Sequence, residues 1–121
     1  MTTIKHKAGA YPGRSKSSAY RNLVWTVATA AAKQQDMAEQ TRSALSVIQN
    51  NLLELGSDKS LIVSAQVFIA DMQLKPAMDR VWCEWIGSDP AKWPQRACLG
   101  VDLEGDVLVE VLVTAVSDSG A

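Results

Sequence analysis

WPQRACLGVDLEGDVLVEVLVTAV, residues Trp93–Val116, carries the strongest strand signal in the chain. It reads as two β-strands joined by a tight turn at Glu104-Gly105-Asp106. On the first strand Ala97, Leu99, Val101 and Leu103 alternate with Arg96, Cys98, Gly100 and Asp102. On the second, Val107, Val109, Val111, Val113 and Ala115 alternate with Leu108, Glu110, Leu112 and Thr114. A three-residue loop closing Leu103 onto Val107, with Gly105 in the left-handed region, would lay the two apolar faces together on the core. Arg96, Cys98 and Glu110 would then share the opposite face, with Arg96 opposite Thr114. Arg96 and Glu110 would stand about 14 Å apart along the sheet. A lone arginine and a lone glutamate on such a face read as a small anion-binding and proton-handling site.

Working outward, Leu23–Ala30 reads as a strand apolar on both faces. Asp36 starts a helix with a capping-box pattern to Glu39. Met37, Thr41, Ala44, Leu45, Ile48, Leu52 and Leu55 form its buried stripe, and Gly56 ends it. Ser60–Asp71 reads as the next strand, with Leu61, Val63, Ala65, Val67 and Ile69 opposite Ile62, Ser64, Gln66, Phe68 and Ala70. A second helix spans Leu74–Ile86, with Pro76 in its first turn and Leu74, Met78, Val81, Trp82 and Trp85 on its core face. Residues 1–15 read as a polar, locally basic arm and loop, either a solvated surface or a loop that brings Arg14 toward an anionic ligand, and 117–121 as a frayed tail.

The 121 residues form one domain, 1–121, of α+β class, with two helices packed on one face of a sheet. The other face would expose Ile62, Phe68, Leu108 and Leu112, so a closed homo-oligomer is expected, with Glu110 near a subunit boundary. Net charge is −1, which supplies no field for nucleic acid or membranes. Two cysteines, Cys83 and Cys98, without an export signal, suggest a reducing, cytoplasmic setting. One histidine, His6, argues against a His-cluster metal site, and Cys83 and Cys98 lack ligand spacing, so no metal is expected.

Leu23-Val-Trp-Thr, Gly56-Ser-Asp-Lys-Ser, Ala65-Gln-Val-Phe-Ile-Ala-Asp71, Arg96-Ala-Cys98 and Val109-Glu-Val111 together resemble the Rid family of YjgF-type enamine/imine deaminases. The Gly56–Ser60 and Phe68–Met72 stretches and the Trp82/Trp85 pair are most similar to its YoaB-like branch. The resemblance spans about Arg14 to Val116 and implies a chorismate-mutase-like fold, a homotrimer and ligand sites between subunits. It implies hydrolysis of reactive 2-imino or enamine acids to 2-keto acids and ammonia, with no cofactor. In that resemblance Arg96 holds the substrate carboxylate, which suits a bidentate guanidinium. Cys98 contributes its backbone, and Glu110 orients or activates water. The family's first-loop tyrosine is replaced by Arg14, and its Ser-Gly after the first long strand by Val27-Ala28, so Arg14 and Ala28 are candidate ligand contacts that reshape the pocket. A non-catalytic binder of small carboxylates such as 2-keto acids is the alternative. RNA binding or cleavage is disfavoured by the charge and by the lack of a stacking platform.

Overall fold

The computed structural model describes residues 3–32 and 35–118. A six-stranded sheet is built from β1 (Lys5–Ala8), β2 (Ser15–Tyr20), β3 (Leu23–Thr29), β4 (Ile62–Ile69), β5 (Gln95–Gly100) and β6 (Val109–Val116). Two helices, α1 (Met37–Glu54) and α2 (Lys75–Ile86), accompany it, and the strand order is β1-β2-β3-β6-β4-β5. The α+β class is as read from the sequence, with both helices feeding one core. The last strand in the chain is a central one: β6 pairs antiparallel with β3 and with β4.

Local chemistry explains most of the elements. Asp36 caps α1 by accepting from the Glu39 amide at 2.9 Å. The reciprocal half of the capping box does not form, because the Glu39 carboxylate turns to Arg42. At the other end Gly56 takes φ 75°, and the Ser57 amide donates back to the Leu52 carbonyl at 2.9 Å, closing a Schellman motif. The expected stripe is buried through Leu52, and Gln40 and Asn51 are buried beside it. Met78, Val81 and Trp82 of α2 complete the layer.

The sequence-based hairpin is overturned. Glu104–Val107 does turn tightly, with Gly105 at φ 57° and the Val107 amide donating to the Glu104 carbonyl. However, residues 101–108 form a loop, and β5 pairs parallel with β4 instead of with β6. A parallel pair needs a helical crossover, and α2 supplies it. Two strands were also missed: β1, inside the stretch read as a polar arm, is the half-solvated sheet edge, and β2, just after it, lies between β1 and β3 with only Ser17 and Ala19 buried. Between Ile62 and Ser64 the register shifts, so Ile62 turns into the core at 7% exposure and Val63 outward at 52%. Ile62 therefore does not belong to the outer face. The chain at 117–118 is tied rather than frayed: the Ser117 amide donates to the Asn22 carbonyl and the Asp118 amide to the Gly56 carbonyl. Residues 119–121 lie outside those described.

Candidate functional site

Pairing of β2 with β3 stops at Ser17 opposite Thr26. Beyond that point the β1–β2 loop swings away from Val27–Thr29 and leaves a cavity of about 570 Å³. Its floor is the end of β3 with Val47 and Asn51 of α1, and the 104–107 turn closes one side. Arg14, Ala28 and Glu110 all line this space, so three of the five sequence-derived candidates meet in one chain. Glu110 is half-buried and stands opposite Thr29. Arg14 is exposed, its guanidinium 4.8 Å from the centre of the Tyr11 ring, with a long contact of 3.5 Å to the Pro12 carbonyl. Behind the cavity a buried polar chain holds the elements together. Ser17 Oγ and Asn51 Nδ2 each donate to Thr26 Oγ1 at 2.9 Å, and Thr26 Oγ1 donates to the Lys16 carbonyl.

Arg96 and Cys98 are not in that cavity. Register explains why: Arg96 pairs with Ala65, which pairs with Val113, whereas Glu110 pairs with Phe68, which pairs with Leu99. Arg96 and Cys98 thus lie on the helix side of the edge strand, and Glu110 lies on the outer side. The expected common face for Arg96, Cys98 and Glu110 is therefore wrong. A common face requires a local hairpin, and β4 lying between the two strands puts Arg96 and Glu110 on opposite sides. Ala97 and Leu99, on the outer side, are exposed instead, as are Gln95 and Gly100 at the strand's ends.

α2 builds a second polar cluster around Arg96. Asp79 Oδ1 accepts from Arg96 Nη2 at 2.7 Å and Asp79 Oδ2 from Lys75 Nζ at 2.8 Å. The guanidinium carbon sits 5.2 Å from the centre of the Trp82 ring, and Nη1 is 3.7 Å from Met78 Sδ. Burial alone would raise the Asp79 carboxyl, but hydrogen bonds from Lys75 and Arg96 and their charges outweigh it and hold its pKa below the ordinary value. Burial pushes the Cys98 thiol up, against the pull of Arg96 and Lys75, so it stays a neutral thiol at pH 7. The cluster, two cations against one carboxylate, is one negative charge short of neutrality. A guanidinium carries five N–H donors, of which Asp79 takes one and the Met78 sulfur weakly another. The arrangement suits one carboxylate ligand.

Asp79, Lys75 and Tyr11 were missed by the sequence reading. The Lys75–Asp79 spacing of four on a helix is visible as an ion pair, but its tie to Arg96 depends on the crossover. Among the described residues no group of three or more His, Cys, Asp or Glu is placed to hold a metal, and no helix is long and apolar enough to cross a membrane.

The profile of the family described as Endoribonuclease L-PSP matches residues 22–117. A RutC family protein of Haemophilus influenzae is 35% identical over 83 residues, covering 68% of this chain and 70% of that protein. The RutC family protein YoaB of Escherichia coli is 36% identical over 66 residues, covering 53% of this chain and 58% of YoaB. The crystal structure of a YjgF family protein from Neisseria meningitidis superposes with a TM-score of 0.87 at 28% identity, over 95% of both chains. The yeast Mmf1 structure shares the fold, with a TM-score of 0.85 at 23% identity over 96% of this chain and 100% of that one.

Proposed function

This chain belongs to the YjgF/Rid family, described as Endoribonuclease L-PSP, and from that premise we propose that it hydrolyses reactive 2-imino or enamine acids to 2-keto acids and ammonia. Arg96 holds the substrate carboxylate. Water adds to the imine carbon, its proton passing to Glu110; the C–N bond then breaks, and the nitrogen leaves as ammonia carrying protons returned through the carboxyl group. Oriented water and one proton-shuttling carboxylate suffice for a carbon this electrophilic. Arg96 and Glu110 occupy opposite faces of one sheet, so the site is completed when a second copy brings its β5 edge to the cavity holding Glu110. In this reading the assembly is a homotrimer. Exposed Leu99 and Val101, at 42% and 38%, and Trp25 at 36%, are the apolar surface that association would cover.

The observation that carries the reading is Arg96 itself: a cation at a sheet edge, its side chain 19% exposed, with N–H groups that no described residue accepts beyond Asp79 and Met78. The test generates an imino acid in situ with an amino-acid oxidase and follows its decay. Wild type should accelerate decay, and both Arg96→Ala and Glu110→Gln should lose most of that acceleration. No acceleration by wild type, or full activity in both variants, refutes it. Arg14 and Val27-Ala28, which line the cavity where the family has a tyrosine and Ser-Gly, favour a second reading, a protein that binds 2-keto acids without turning anything over. Saturable keto-acid binding with no change in imine decay would select it. RNA cleavage, the activity in the family's description, finds little support in a net charge of −1.

A further inference from the structure

We infer that Asp79 is a positioning residue for Arg96, fixing the guanidinium so that its remaining N–H groups are presented to one incoming carboxylate. This deepens the proposed function and rests on it for its catalytic consequence. Both oxygens of Asp79 are engaged, one by Arg96 at 2.7 Å and the other by Lys75 at 2.8 Å, so the carboxylate cannot rotate without breaking a charged contact. Lys75, Met78, Asp79 and Trp82 follow one another at helical spacing along one face of α2, and the last three all meet the guanidinium. A free arginine loses much rotamer freedom when it binds an anion; here that ordering is already done in the unliganded fold.

Charge separates this role from two others. A purely structural pair would be complete with Arg96 and Asp79, yet Lys75 adds a second cation and leaves the cluster with a surplus positive charge. A carboxylate that merely competed with substrate for Arg96 would have no need of Lys75 to hold it in place. With Lys75 balancing Asp79, the charge of Arg96 remains available to the ligand. Asp79 contributes order, Lys75 cancels its repulsion of an anion, and Trp82 supplies the platform.

The experiment compares wild type, Asp79→Asn, Asp79→Ala and Asp79→Glu. Imine decay is measured alongside the side-chain Nε–Hε NMR signal of Arg96, assigned by its loss in Arg96→Lys. The signal should be resolved in wild type and shift on adding 2-oxopropanoate. In Asp79→Ala and Asp79→Asn it should collapse toward the position of free arginine. kcat should fall about tenfold or more, the scale expected of a misaligned group, while KM changes by less than about threefold because Lys75, released, still attracts the anion. Asp79→Glu should recover part of both the signal and kcat. A rise in kcat/KM in Asp79→Ala marks Asp79 as a competitor and overturns the inference. So does an Arg96 signal unchanged in Asp79→Ala and Asp79→Asn. If wild type accelerates no imine, the catalytic reading fails, and the response of the Arg96 signal to 2-oxopropanoate decides the positioning role alone.

Discussion

Replacing Gln40 by methionine tests how the cavity is held open. Gln40 is fully buried on α1 and its amide is spent on the backbone of the β5–β6 connection. Nε2 donates to the Asp106 carbonyl at 2.9 Å and to the Gln35 carbonyl at 3.2 Å, while Oε1 accepts from the Leu108 amide at 2.9 Å. Methionine is close in length and volume, so little cavity is created and the change isolates the hydrogen bonds. Asp106 is exposed, and its carbonyl can turn to water; the half-buried Leu108 amide has less access to a substitute. An unsatisfied buried amide costs about 1–3 kcal/mol, so Gln40→Met should destabilise by about that amount. With an unfolding entropy of about 0.25 kcal/mol per K for a chain this long, the melting temperature should fall by about 4–12 °C. Urea titration at one fixed protein concentration measures it, because any self-association makes apparent stability depend on concentration. Gln40→Glu keeps the acceptor for Leu108 but sets a carboxylate against two carbonyls, and should be at least as damaging near pH 7. A Gln40→Met protein within 0.5 kcal/mol of wild type would refute the claim that this amide anchors the 104–108 loop.

Two further perturbations test the packing and the capping. Ile48 is fully buried in the middle of α1, so Ile48→Ala should cost about 2–5 kcal/mol by urea titration, against about 0.5–1.5 for Ile48→Val. Asp58 accepts hydrogen bonds from the hydroxyl and amide of Ser60 and from Gln49, which lower its pKa to about 2. A depressed carboxyl stabilises the fold above its ordinary pKa of 3.8 and loses that contribution as pH falls toward about 2. Solvent screening at this partly exposed site limits the contribution to about 1 kcal/mol. Asp58→Asn should therefore be less stable than wild type at pH 6, and the difference should close between about pH 4 and pH 2; a pH-independent difference would contradict the account.

Elements whose signals are local were legible in the sequence. α1 announces itself through Asp36, its apolar stripe and Gly56, and α2 through Pro76 and the Met78–Val81–Trp82 face. The alternating valines of β6 mark a strand covered on one side by helices. What was not legible depends on partners far away in the chain. Nothing between Arg96 and Glu110 says that β4, some thirty residues earlier, will lie between them, and that one fact decides which face Arg96 occupies. The same non-locality hid Asp79, whose helical pairing with Lys75 is apparent but whose link to a strand is not. β1 and β2 were missed for a different reason: a solvated edge strand and its half-buried, Ser-rich neighbour have a loop's composition. The site was thus half legible, with Arg14, Ala28 and Glu110 brought into one cavity and Arg96 and Cys98 set on the far side.

The central position of β6 has a bearing on how the molecule comes into being. The β1–β2–β3 meander and the β4–α2–β5 unit share no strand–strand ladder with one another; each is joined to the other through Val109–Val116. Both can gain local order on their own, but the sheet keeps an open seam between β3 and β4 until Val109–Val116 zips between them. Closure of the sheet accordingly waits on residues 109–116, and a chain in which they have not yet docked would present two bare β-edges to whatever protein meets it first.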